Sequence, residues 1–217
     1  MSFIVEYDEK IELTDLLDLL AVFERVRQAC KFGFSGTNEE FDDLKVKLSE
    51  NGIDVIEEYV RRYPLNFTRF ERNIYAVRRN RLDIKDKIHQ LKFKFSNKSF
   101  PPPNNPNYSE EREREHVRLD GEILEYNDCC IKDFLKTTLE RKDFKERKNK
   151  EMYPLKPEFY DQYDEIKKRF PLIPMKVCPS CIDYAENLQR QYEKIVEKYG
   201  LERRLDEFMR IIRRIGK

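Results

Sequence analysis

Nine positions between Phe67 and Phe95 recur at alternating steps of three and four: Phe67, Phe70, Ile74, Val77, Arg81, Ile84, Ile88, Leu91 and Phe95. That is a heptad seam, the pattern of a helix that hides one edge along a partner helix. It predicts one rod of about 30 residues, or about 45 Å at 1.5 Å per residue. A rod of that length packs along another helix or along a second copy of the chain, so the seam implies a protein partner or a homo-oligomer. Arg81 is its single polar member. A charge on a buried edge is costly without a partner, so Arg81 should meet a carboxylate or mark an opening.

The rest of the chain reads as shorter elements. Ser2–Tyr7 alternates as a short strand, with Phe3, Val5 and Tyr7 on one side. Thr14 is the expected N-cap of a helix whose start is complemented by Asp15 and Asp18. Its buried stripe is Leu16, Leu20, Phe23, Val26 and Cys30, broken by Gly33 and Gly36. Asn38 caps a second helix through Phe41, Leu44 and Leu48, which Asn51-Gly52 ends. Ile53–Arg62 is a third, stopped before Pro64. Asp120-Gly121 suggests a β-hairpin across 115–127, with a helix through 110–150 as the alternative. Asp128 caps a helix with Ile131, Phe134, Leu135 and Leu139 inside. Pro157 opens another through Phe159, Tyr163, Ile166 and Phe170, and Leu172–Val177 forms a short strand. Two helices close the chain. The first buries Ala185, Leu188, Tyr192 and Ile195 and stops at Gly200; the second carries Leu201, Leu205, Phe208, Ile212 and Ile215. The expected fold class is therefore mainly α: a helical protein with a long heptad-patterned central helix and small β elements. Pro101-Pro102-Pro103 lacks amide donors and stays extended, so 100–108 is a stiff linker between an N-terminal domain (1–99) and a C-terminal domain (109–217).

Composition narrows function. Of 217 residues, 39% are charged, against a usual quarter, yet 15 Phe and 12 Tyr supply enough bulk for a folded core. No run of 18 apolar residues spans a membrane, and no basic-then-apolar leader opens the chain. An intracellular protein is expected, cytoplasmic, or nuclear in a eukaryotic host. Six glycines form neither GxGxxG nor GxxxxGK[ST], so no nucleotide cofactor is expected. With 2 His and no GxSxG, HExxH or DxDxDG segment, the balance leans away from an enzyme.

The net charge of +1 hides an alternation. Residues 1–58 hold 15 acids and 6 bases, whereas 59–98 hold 12 bases and 3 acids, and 110–128 are acidic again. Either these blocks pack against one another, or the basic block faces phosphate. On the second account Arg69, Arg72, Arg78, Arg79, Arg81, Lys85 and Lys92 would line the flank of the rod and contact DNA or RNA.

Cys178-Pro179-Ser180-Cys181 places two thiols two residues apart, which suits half of a zinc site. Cys129, Cys130 and His116 are the candidate remaining ligands, and the natural completion is Cys129 or Cys130 together with His116. The order strand, CPSC, helix also resembles the active-site turn of the glutaredoxin and thioredoxin families over about 15 residues, which implies thiol–disulfide exchange at Cys178. Those folds need further strands after the motif, and the 36 residues after Cys181 read as helices. A pair of ordinary cysteines at a strand–helix turn is the third account. Together these residues describe a non-enzymatic nucleic-acid-binding or regulatory protein with one structural zinc. The alternatives are a protein-interaction scaffold or inhibitor acting through its heptads, and a thiol oxidoreductase.

Overall fold

The computed structural model describes residues 3–63, 66–95, 109–136, 169–173 and 177–215. Seven α-helices and three strands follow one another among them. They are α1 (Leu13–Phe23), β1 (Ala29–Gly36), α2 (Asn38–Glu50), β2 (Ile53–Tyr63), β3 (Asn66–Arg78), α3 (Leu82–Phe95), α4 (Glu110–Ile123), α5 (Asp128–Phe134), α6 (Ile182–Tyr199) and α7 (Glu202–Ile215). Short 3-10 turns cover Phe3–Tyr7 and Pro179–Cys181. The protein is mainly helical, with one small antiparallel sheet of order β1–β3–β2.

The 45 Å rod does not form. Its first half is strand β3, its second half is α3, and a turn at Arg78–Arg81 separates them. The longest helix among the described residues is α6, with 18 residues. The reason lies in two-sided burial. β3 is the central strand, so Ile74 and Ala76 enter one core while Tyr75 and Val77 enter another. A strand buried on both faces needs no alternation, and its apolar residues can fall at steps of three or four by coincidence. The seam is genuine only where the helix is: Ile84, Ile88, Leu91 and Phe95 are buried along α3.

Ile53–Arg62 is likewise strand β2, with β-branched and aromatic residues at Ile53, Val55, Ile56, Tyr59, Val60 and Tyr63. β1 and β2 both run antiparallel to β3, so they are parallel to one another, with α2 as the crossover and β3 inserted between them. Cys30 belongs to β1 rather than to α1. Ser2–Tyr7 supplies a 3-10 turn in place of the expected strand. Leu172 and Ile173 are buried in a turn, and no strand forms across the described part of Leu172–Val177. Linker 100–108 and the helix expected from Pro157 through Tyr163 lie outside the described residues, as does Leu139.

One sheet face carries Cys30, Phe32 and Phe34 beside Ile74 and Ala76, covered by α1 and α2, with α6 packed on α1. Phe32 and Phe34 are each 1% exposed, and burying such a side chain is worth roughly 1.5–3 kcal/mol. This cluster joins Ile4, Leu16 and Ile74 to Cys130, Leu172, Cys178 and Tyr192, from both sides of the proline-rich segment. The opposite face carries Ala29, Tyr75 and Val77 beneath α3 and α4. There the 115–127 region is helical, contrary to the hairpin. Gly121 serves close packing: a Cβ at that position would sit 2.8 Å from Ile131 Cγ1 of α5. α1 begins at Leu13 after Glu12, one residue before the expected Thr14 cap. α2 has Thr37 as its N-cap, in a reciprocal capping box with Glu40.

Candidate metal centre

Two helix starts converge on one point. Cys129 and Cys130 occupy the first turn of α5. Cys178 and Cys181 bracket the 3-10 turn that leads into α6. A 3-10 turn has three residues per turn, so side chains at i and i+3 lie on one side, which brings the two CPSC sulfurs together. The amide of Cys181 donates to the carbonyl of Cys178 at 2.9 Å and closes that turn. The four Sγ atoms all lie within 4.8 Å of one another. Cys129 Sγ is 3.1 Å from Cys181 Sγ, and Cys130 Sγ is 3.5 Å from Cys178 Sγ. At a Zn–S distance of about 2.3 Å, a tetrahedron has sulfur–sulfur edges of about 3.8 Å, so small adjustments fit four thiolates around one ion.

The surroundings favour anionic sulfur. The amide of Cys178 points at Cys130 Sγ (3.5 Å), Asn127 Nδ2 donates to Cys181 Sγ (3.3 Å), and the Ser180 hydroxyl lies 3.1 Å from Cys178 Sγ. Both helices direct their positive N-terminal ends toward the cluster. Cys129 is exposed, and hydrogen bonds from Cys181, Cys178 and Ser180 bring its thiol down to about 7. Burial pushes the Cys130 and Cys181 thiols up.

A buried network holds this corner to α1 and to the connection that follows it. Asp18 Oδ1 accepts from Arg27 Nη1 at 2.9 Å and from the Tyr192 hydroxyl of α6. Arg27 Nη2 also donates to the carbonyl of Leu124, and its guanidinium lies 5.9 Å from the Tyr126 ring centre. Arg27 is thereby fastened to the turn that delivers Asn127, Cys129 and Cys130. In that turn Glu125 adopts a left-handed backbone (φ 56°) while accepting from the Gln28 amide and from Arg81, both at 3.0 Å.

All four cysteines put forward from the sequence come together, and both members of the vicinal pair join. His116 does not complete the set: it lies on α4, edge-on to Phe95 with ring centres 5.1 Å apart. Vicinal cysteines share a site here because two helix-start residues face a pair delivered by a tight turn. Asn127 stands outside the set expected from the sequence, and an Asn directly before an acid-led helix start is the only hint of it. The Asp18–Arg27–Tyr192 network left no sequence signal, since its members are separated by as many as 174 positions.

Among the described residues, the arginines of the basic segment are engaged within the chain. Arg72 is 4% exposed, bonded to Asn38, 3.4 Å from Glu57 and stacked over Phe41. Arg79 pairs with Asp54 at 3.0 Å and reaches Ser49, and Lys85 pairs with the same Asp54. Arg81, in the turn before α3 and not on a buried seam, bridges Asp83 and Glu125 at 2.7 and 3.0 Å. Arg78 donates to the Asn51 carbonyl at 3.4 Å. Lys92 is half-buried on α3, and Arg69 lies on β3 with its side chain outside the described residues. Lys87–Glu122 and Lys94–Glu115 join α3 to α4. The acidic and basic blocks thus pack against each other.

No helix among the described residues is long and apolar enough to cross a membrane. No protein-family model, curated protein or solved structure significantly matches the chain. The site and fold therefore carry the functional reading: a helical protein around a split β–α–β sheet, with a four-cysteine cluster at one corner.

Proposed function

We propose that the chain is a non-enzymatic regulatory protein organised by one mononuclear zinc ion held by Cys129, Cys130, Cys178 and Cys181. The observation that carries this is the convergence of four sulfurs within 4.8 Å from two segments about 50 positions apart. Four thiolates close the coordination sphere of zinc, and a closed site is structural, because catalysis needs an open position. The ion would staple the α4–α5 turn to the start of α6. Phosphate recognition by Arg72, Arg78, Arg79, Arg81 and Lys85 has less support, because the chain's own acids and carbonyls already hold those side chains. Thiol exchange at Cys178 also has less support, since Cys178 is buried against Cys130.

Metal analysis of protein purified from zinc-replete culture without chelators tests the reading. One zinc per chain is expected, with tetrahedral sulfur bands in the visible spectrum after cobalt substitution. A ratio near zero rejects it, and a stoichiometric red iron–thiolate protein would replace zinc with iron. No retardation of DNA or RNA at low salt is expected, whereas salt-sensitive retardation lost on reversing Arg78 and Arg79 would restore the phosphate reading.

A further inference from the structure

The four sulfurs differ in access. Cys129 is exposed, whereas Cys130, Cys178 and Cys181 are buried. The nearest sulfur to Cys129 is on the other segment, Cys181 at 3.1 Å. A disulfide bond is about 2.05 Å long, so closure needs roughly 1 Å of travel, and the exposed side chain has solvent to move through. Bonding Cys129 to its neighbour Cys130 would close a strained eight-membered ring. Bonding it to Cys181 links two segments that already touch.

Resting on the metal-binding reading, we propose that Cys129 is an oxidation site for hydroperoxides, that Cys181 resolves it as a Cys129–Cys181 disulfide, and that this step discharges the metal. The Cys129 thiolate attacks one peroxide oxygen. The O–O bond breaks, one proton is taken up, water leaves when the oxidant is hydrogen peroxide, and Cys129 becomes a sulfenic acid. The Cys181 thiolate then attacks that sulfur, forming the S–S bond as the S–O bond breaks and hydroxide leaves. Two thiolates lose two electrons and the peroxide accepts them. Asn127, which donates to Cys181 Sγ at 3.3 Å, holds the resolving sulfur in place beside Cys129. In forming the disulfide, Cys129 and Cys181 give up their bonds to the metal, which leaves as its divalent ion. Cys130 and Cys178 each take up a proton from solvent and remain as two buried thiols, half of the four ligands a closed site requires. The disulfide ties the same two segments that the metal tied, 52 positions apart, so the corner stays joined while its metal is exchanged for a bond that thiols can reduce.

The test uses the full chain with zinc content and free thiols measured beforehand. Hydrogen peroxide is added, released zinc is followed with a chromogenic chelator, and alkylated peptides are mapped. Stoichiometric release with a single Cys129–Cys181 disulfide is expected, and a dithiol followed by zinc should restore the starting state. Cys129→His supplies a ligand that peroxide does not oxidise in this way. It should keep the metal and slow release at least about 10-fold. Zinc retained through excess peroxide, or release with a disulfide that omits Cys129, overturns this inference and leaves the metal centre standing. A chain that carries no metal before peroxide is added overturns the metal centre itself.

Discussion

Replacing Asp15 with Asn should stabilise the protein at neutral pH. Asp15 lies on α1, where its carboxylate accepts the Gly33 amide of β1 at 2.7 Å. Burial is the largest influence on this group and raises its pKa; the Gly33 hydrogen bond opposes it, and the nearby charges of Asp18 and Glu12 add to it. The result is a pKa pushed up to about 6 from 3.8. The sign follows. Between those values the folded chain holds more protons than the unfolded one, so stability falls as pH rises through the window and levels off above about 6. The difference is 6 − 3.8 = 2.2, and at about 1.4 kcal/mol for each unit the ionised group costs about 3 kcal/mol at most near pH 7. Asn keeps an oxygen for the Gly33 amide but must place its own amide protons, so a net gain of about 1–2 kcal/mol is expected. Urea unfolding of wild type and Asp15→Asn at several pH values from about 4 to about 7.5 measures it. Subtracting the curves removes whatever pH dependence the cysteine cluster contributes, which both proteins share. The gap should open between about pH 4 and 6 and then stay constant. A variant less stable than wild type at pH 7, or a gap independent of pH, would refute the argument.

Gly121→Ala should destabilise by about 1–3 kcal/mol in thermal unfolding, although Ala is the better helix former, because its Cβ would sit 2.8 Å from Ile131 Cγ1. Arg25→Gly should raise stability by about 0.5–1 kcal/mol, since Arg25 is exposed with a left-handed φ of 64° that costs a residue with a Cβ. Arg27→Ala should cost about 3–5 kcal/mol in denaturant titration by leaving Asp18 buried without its cation, while a double change of Asp18 and Arg27 to apolar residues of similar volume should cost less. Stripping the metal with a chelator should lower the melting temperature of wild type and leave that of a Cys178→Ser, Cys181→Ser variant unmoved.

Local chemistry made some elements legible. The last two helices follow from apolar spacing and from Gly200, which takes the left-handed cap at φ 66°. Asn51-Gly52 ends α2, with Gly52 at φ 73°. The CPSC spacing announced a pair of thiols aimed at one point, because that depends only on a four-residue turn. Alternating charge blocks allowed either acid meeting base within the chain or a basic face left open, and did not choose between them.

What the chain alone could not decide was set by contacts between distant residues. A period of three and four describes both a helix with one buried edge and a central strand buried on both faces. Only the arrival of β1 and β2 on either side of β3 made Asn66–Arg78 a strand. Asp120-Gly121 carries the local chemistry of a hairpin, but the segment is helical, with Leu119 and Ile123 buried against α3 and the sheet and Gly121 leaving room for Ile131. The cysteine partners were chosen in the same way. Sequence distance gave no reason to prefer Cys129 and Cys130 together over a set containing His116. The packing of α4 and α5 carries His116 to Phe95 and sets both vicinal sulfurs over the turn into α6.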